Sequence, residues 1–374
     1  MKIVFTGGGT AGHFYPLIAV AESLNTIAKE EKLVPPRLYY MSNNPFDEAL
    51  LFDNSIAFKR ISAGKLRTYF SLLNITDLFK TALGILVAIW KMFLIYPDVV
   101  ISKGGYVSFP PVLAARILRI PVIVHESDSV PGRTNLWTGT FADRIAISWP
   151  EAAQYFKGDN VALTGQPVRR AIQTPAKEGA HEYLHLEEGR PVVLIWGGSQ
   201  GAQIINKTIL DTLPEILAEY QIIHQVGDAN FEEVKNLANV IVKDDTLRVR
   251  YKPFGYLNTL ALRMSAGAAS LVISRAGSGL FEIAAWGLPS IIIPITESNG
   301  DHQRRNAFNY ARSGACVVIE EKNLTPHVLV SEIKRLMQNE VERKRMGDAA
   351  KAFFLAGAEE KIAREAIRIA LSHE

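Results

Sequence analysis

The apolar residues of this chain fall into short unbroken blocks, and the stretches between the blocks carry helical spacing. Blocks stand at Lys2–Thr6, Arg37–Met41, Asp98–Ser102, Pro121–His125, Arg144–Ser148 and Val161–Thr164 in the first half. They recur at Val192–Trp196, Gln221–Val226, Leu247–Tyr251, Ser270–Ser274, Pro289–Pro294 and Ala315–Ile319 in the second. Unbroken apolar runs read as strands buried on both faces, and their alternation with helices predicts an α/β architecture with doubly wound parallel sheets. After Thr325 only helical pattern remains. The last helix, near Glu359 to Leu371, is expected either to cap the second half or to reach back to the first.

Three of these blocks run into glycine turns. Gly7-Gly-Gly-Thr-Ala-Gly-His13 follows the first, Gly197-Gly-Ser-Gln-Gly-Ala202 follows Val192–Trp196, and Arg275-Ala-Gly-Ser-Gly-Leu-Phe-Glu282 follows Ser270–Ser274. A glycine turn between a strand and a helix N-terminus holds anions. Backbone N–H groups and the helix dipole converge there, and the missing side chain lets a phosphate approach. The occurrence of such turns in both halves predicts two nucleotide-type domains facing a cleft.

The first turn meets the strict G-x-G-x-x-G spacing, which raises a dinucleotide-dependent dehydrogenase. The second strand, however, ends in Ser42-Asn43-Asn44 and lacks the acidic residue that would hold an adenosine ribose. No Lys-Ser/Thr pair follows the glycines, so a P-loop is excluded. A phosphate or sugar-nucleotide turn remains. His13, at the start of a helix, has its charged form disfavoured by the dipole and suits a general base; the bland alternative is a bond to a loop carbonyl. Glu282 falls among apolar neighbours, where a carboxylate needs donors. Ribose hydroxyls or a neighbouring loop would supply them. Asp301-His-Gln-Arg-Arg-Asn306 opens a further helix at the carboxyl edge of the second sheet.

Composition narrows the class. A chain of 374 residues with 48% hydrophobic content suits two domains. We place them at 1–165 and 166–355, with 356–374 as a terminal helix that can pack back on the first; the crossing lies at Gly165-Gln-Pro-Val-Arg-Arg170. The lone Cys316 fits a reducing compartment, and no apolar signal segment separates Lys2 from the first glycine turn, so a cytoplasmic protein is expected. A net charge of +3 gives no case for nucleic acid. The distribution says more. From Lys59 to Arg119 there are nine basic residues against Asp77 and Asp98. The same window holds the mostly apolar Leu78–Tyr96, which Lys80 and Lys91 interrupt, so it is not read as membrane-spanning. It is either a helix packed on its sheet, an apolar face that docks on anionic lipid, or both on different faces. The pair Glu126 and Asp128 imitates a metal motif, but a loop role is preferred.

The ordered strings GGGTAGHFYP, KGGYVSFP, HESDSVPGRTN, GQPVR, GGSQGA, SRAGSGLFEIAAWGLPSIIIP and DHQRRNA resemble the MurG family of bacterial glycosyltransferases of peptidoglycan precursor synthesis. The resemblance runs from Lys2 to about Ile319. It implies two Rossmann-like domains in the arrangement called GT-B and no essential metal or other cofactor. It also implies transfer of N-acetylglucosamine from UDP-GlcNAc to the muramyl sugar of a polyprenyl-diphosphate-linked muramyl-peptide (lipid I), giving lipid II at the cytoplasmic membrane face. Thr10, Ala11, Gly12 and His13 then match the loop facing diphosphate and acceptor, with His13 as the base. Asn135 matches a donor-sugar contact, Arg169 the arginine before the second domain, and Ser199 a serine on the donor diphosphate. Gly277, Ser278, Gly279 and Leu280 match the nucleotide turn, Glu282 the ribose carboxylate, and Gln303 a contact to sugar hydroxyls. Gly104, Gly105 and Tyr106 match an acceptor loop. Alanine at position 11, where the family has glycine, and His125-Glu-Ser-Asp128 depart from the family pattern. Other UDP-sugar enzymes of this fold, a glycolipid synthase or a UDP-GlcNAc 2-epimerase, and a non-catalytic nucleotide sensor are the alternatives.

Overall fold

The computed structural model describes residues 1–64, 73–198, 201–296 and 299–372. The chain divides into two compact units, Met1–Arg169 with Leu355–Glu374, and Arg170–Phe354. The terminal segment belongs to the first unit.

The first unit is built on seven parallel strands: β1 Lys2–Thr6, β2 Arg37–Ser42, β3 Ile56–Arg60, β4 Val99–Ser102, β5 Val122–Glu126, β6 Arg144–Ile147 and β7 Val161–Leu163. Their order, β3-β2-β1-β4-β5-β6-β7, reverses direction at β1 and β4. Crevices open at the carboxyl ends of the strands beside such a switch point. The apolar blocks missed β3, because only Ile56 of that edge strand is buried and it ends in Lys59-Arg60. Helix Ala11–Glu30 covers one face of the sheet, and the terminal helix Ala358–Leu371 packs against it through Ile362, Ala363 and Ala366.

On the other face, helix Leu73–Ile95 lies against Phe109–Ile117 and sends Ala88 and Met92 into the core with Val100 and Val122. Its outer side is bare. Leu83, Leu86, Trp90 and Phe93 are 58–66% exposed. The segment Thr76–Ile95 is long and apolar enough to cross a membrane, with a mean hydropathy of 1.9 and 17% of it buried.

The second unit has six parallel strands: β8 Val192–Trp196, β9 Gln221–Gln225, β10 Tyr251–Phe254, β11 Ala269–Ser274, β12 Ser290–Ile292 and β13 Cys316–Val318, ordered β10-β9-β8-β11-β12-β13. The expected strand at Leu247–Tyr251 is displaced. Asp244 accepts from Thr246 N at 2.8 Å and starts a helical turn, Asp245–Arg248, so the strand begins only at Tyr251. Pro253 sits in this edge strand, where a missing N–H is tolerated.

Candidate functional site

In the first unit the glycine turn after β1 is shaped by its neighbours. Tyr40, buried on β2, donates its hydroxyl to Gly7 O at 2.6 Å, and burial pushes its pKa up to about 12, so it stays a donor. A side chain at Gly8 would meet Val107 and the Ser42 hydroxyl, and Gly9 takes a φ of 94° that favours glycine. Thr10 caps the helix Ala11–Glu30 with extended backbone, and Ala11, Gly12 and His13 form its first turn, partly exposed. Thr10 Oγ1 lies 2.8 Å from His13 Nδ1.

The turn after β4 stands beside it. Gly104 and Gly105 have φ of 82° and 80°, and Tyr106 opens a short helical turn. A Cβ on Gly105 would lie 3.3 Å from Gly8 O and 3.5 Å from His13 Nε2. The structure therefore brings His13, the first glycine turn and the Gly104–Tyr106 turn into one place. Asn135 belongs to the same cluster. It is buried on helix Arg133–Gly139, and its Oδ1 lies 2.5 Å from where a Cβ of Gly104 would stand.

What holds Asn135 there is Glu126. This buried carboxylate at the end of β5 accepts from Asp128 N at 2.9 Å, Gly132 N at 3.0 Å and Asn135 Nδ2 at 2.8 Å. Burial raises its pKa and nearby Asp128 adds to that, while the Lys103 charge opposes. Its hydrogen bonds close the loop that precedes Asn135, the role preferred over a metal motif from the sequence. Beneath the Gly104 turn, buried Lys103 donates to Ser127 Oγ. Ser127 in turn donates to Gln166 Oε1, which also accepts from Ser148. Burial brings the Lys103 pKa down to about 8. Apolar patterning does not reveal this polar support; its signal in the sequence is the small polar residues Ser127, Ser129 and Ser148, at strand ends where that patterning stops. Arg169 is buried at the end of the first unit, with its guanidinium 4.4 Å from the centre of the Tyr15 ring.

In the second unit two glycine turns flank the neighbouring strands β8 and β11. Ser199 lies outside the described residues. Gly198 O accepts from Gln225 Nε2 at 2.7 Å, and a side chain on Gly201 would collide with Val226 O. Ser274 ties the turns together by donating to Trp196 O at 2.7 Å. The space over Gly277 is open, whereas Gly279 packs on the Trp196 ring. Ser278 stands at the N-cap position of helix Gly279–Trp286, with helical backbone and no side-chain cap bond. Leu280 has its side chain in the core and its N–H on Gly277 O at 3.1 Å, so it offers a ligand no apolar surface. Glu282, in the first turn of that helix, is partly exposed between buried Phe281 and Ile283. A carboxylate is favoured at that end of a helix. Gln303, on helix His302–Arg312, accepts from Ile295 N at 3.2 Å, which fixes the loop after β12. Arg275 and Glu321, 3.1 Å apart, brace the same loop through Thr296 N.

Residues 3–147 match the glycosyltransferase family 28 N-terminal domain, and residues 192–362 match the glycosyltransferase family 28 C-terminal domain. A Clostridium kluyveri protein is 37% identical over 338 residues, 90% of this chain and 91% of its own length. It is named UDP-N-acetylglucosamine--N-acetylmuramyl-(pentapeptide) pyrophosphoryl-undecaprenol N-acetylglucosamine transferase. A Halothermothrix orenii protein of the same name is 35% identical over 357 residues, 94% of each chain. Among solved structures, Acinetobacter baumannii MurG aligns with a TM-score of 0.72 at 23% identity, over 98% of this chain and 99% of that one. A Neisseria meningitidis UDP-GlcNAc 2-epimerase bound to UDP-GlcNAc aligns with a TM-score of 0.69 at 14% identity, over 98% and 100%. These structural likenesses are of fold.

Proposed function

Since the chain belongs to glycosyltransferase family 28, with both family domains in order, we infer that it transfers N-acetylglucosamine from UDP-GlcNAc to lipid I, forming lipid II. The observation that carries this is the 35–37% identity, over at least 90% of the chain, to relatives named for that transfer. The epimerase alternative rests on fold likeness at 14% identity alone.

The roles follow from inverting chemistry. The acceptor hydroxyl oxygen attacks the anomeric carbon; its bond to the UDP oxygen breaks with the electron pair leaving on UDP, and a base takes the hydroxyl proton. We assign the base to His13 and the acceptor side to Gly104, Gly105 and Tyr106 with Thr10, Ala11 and Gly12. Asn135 is read as a sugar contact. In the second unit Gly277, Ser278, Gly279 and the backbone of Leu280 are assigned to the nucleotide, Glu282 to the ribose and Gln303 to the donor sugar. Ser199, Arg169 and the helix N-termini after the glycine turns meet the charge on the departing diphosphate.

The exposed apolar side of helix Leu73–Ile95 is assigned to the anionic cytoplasmic face of the membrane, with Lys80 and Lys91 among the cations beside it. On this reading the protein is peripheral and takes its lipid substrate where it docks. No nucleic acid is assigned as a partner. Incubation of the protein with radiolabelled UDP-GlcNAc and lipid I, followed by extraction of the lipid, should give labelled lipid II. Release of a free epimerised sugar nucleotide, with no label in lipid, would overturn the reading.

A further inference from the structure

We propose that Gln225 is a positioning residue for the donor diphosphate: its carboxamide holds the Gly198 carbonyl to the sheet and so keeps the turn after β8 receptive to an anion. The proposal deepens the reading of that turn as part of the diphosphate site and rests on it.

Gln225 is the last residue of β9 and pairs in register with Trp196 of β8. It is 1% exposed. A carboxamide buried that deeply is costly unless its polar atoms find partners, and here both do. Nε2 donates to Gly198 O at 2.7 Å, and Oε1 accepts from Leu257 N at 3.0 Å. A carbonyl only accepts and a backbone N–H only donates, so these two bonds leave the amide a single orientation. Leu257 lies between β10 and helix Thr259–Ala268. One side chain thus ties the turn after β8 to the segment after β10. The backbone beside it holds the same segment, with Val226 N on Phe254 O at 2.9 Å and Gly227 N on Gly255 O at 3.1 Å.

Gly198 depends on such a tether. Its φ is 83°, and a Cβ built on it would meet nothing within 4 Å, so hydrogen bonds rather than packing on that side hold its carbonyl. Gly198 O also accepts from Gly201 N at 3.1 Å, and Gly201 is itself pressed against Val226 O. The adjacent residues Gln225 and Val226 therefore set both ends of the turn. A glycine peptide turns over at little cost, and turned over it would present its oxygen, the negative end of its dipole, to an approaching phosphate. The amide donor on Gly198 O opposes that reversal. It leaves the N-terminus of helix Gln203–Glu219 clear for negative charge.

The experiment is titration calorimetry of UDP and of uridine on the full chain, for wild type, Gln225→Met and Gln225→Glu. Wild type should bind UDP more tightly than uridine. Gln225→Met should bind UDP about tenfold or more weakly while its uridine affinity stays within about threefold, because the lost bond governs the phosphate turn. Gln225→Glu keeps the test open if the first variant does not fold. At about pH 8.5 its ionised carboxylate cannot donate to Gly198 O, and UDP should bind at least tenfold more weakly than to wild type. At about pH 5.5 the buried carboxyl regains a proton to donate, and the deficit against wild type at the same pH should shrink to within about threefold. Unchanged UDP affinity, an equal loss for uridine, or a Gln225→Glu deficit that ignores pH would overturn the proposal. A wild-type protein that binds UDP no more tightly than uridine would instead overturn the reading of the turn as a diphosphate site.

Discussion

The Glu126 carboxylate accepts a 2.8 Å hydrogen bond from the Asn135 carboxamide, and this bond, with a second at 3.2 Å to His125 O, fixes which way Asn135 Oδ1 points. The flat face of the carboxamide thus lies against Gly104, its oxygen and nitrogen 2.5 and 2.8 Å from where a Cβ would stand. Glu126→Ala should therefore strip an acceptor from the buried Asn135 amide and from the less buried Asp128 and Gly132 N–H groups and lower stability by about 1–3 kcal/mol, mostly as the cost of the unsatisfied buried donor. Urea unfolding followed by tryptophan fluorescence measures this. A loss below about 0.5 kcal/mol would mean that the loop closes without Glu126.

Glu282→Ala should weaken UDP binding by about 1–3 kcal/mol, the usual cost of removing a charged hydrogen-bond acceptor. Its partial exposure keeps the folding penalty small. Titration calorimetry with UDP is the measurement, and unchanged affinity in a folded variant would remove Glu282 from the nucleotide site.

His13→Ala should lower kcat by about 10²–10⁴ while UDP affinity stays within a factor of a few, because a base acts on the acceptor and not on the nucleotide. The ring sits in the first turn of its helix beside the Gly105 turn, so the substitution leaves the buried core intact. Near-normal turnover with saturating lipid acceptor would send the search for the base elsewhere.

Replacing Trp90 and Phe93 together by serine should reduce binding to anionic vesicles by about tenfold or more, since each exposed apolar side chain would otherwise be buried in lipid. Raising salt should weaken the wild type as the basic cluster is screened. Vesicle co-sedimentation that ignores both changes would leave the bare side of this helix without a lipid role.

His224 supplies a pH prediction. It is fully buried between Tyr251 Oη at 2.9 Å and Asn206 Oδ1 at 3.1 Å, and burial pushes its pKa down to about 3 from an ordinary 6.5. The unfolded chain takes up a proton near pH 6.5, whereas the folded chain refuses it until about pH 3. Stability is therefore undiminished above pH 6.5 and falls as the pH drops through that window, by roughly 3 kcal/mol on reaching pH 4. His224→Gln should start lower at neutral pH yet lose about that much less between pH 7 and pH 4. Parallel pH profiles of urea midpoints for the two proteins would show that another group drives the acid loss.

The sequence alone determined the repeated strand-and-turn plan. Strands buried on both faces must be apolar throughout, and tight anion-binding turns need glycine, so both leave local marks. The edges escaped it. β3 is half exposed and carries charges, and Asp244 converts the start of an apolar run into a helical turn, so periodicity had little to report at either place. The family strings likewise pointed to His13, Asn135 and the Gly104 turn, but not to their being neighbours. That depended on β1 lying next to β4, and β4 next to β5, an order set by packing between segments far apart in the chain. The partners of Glu126, Ser127, Gln166 and Ser148 were not legible for the same reason. A buried polar residue is recognised by the partner that satisfies it, and those partners come together only once the sheet has formed.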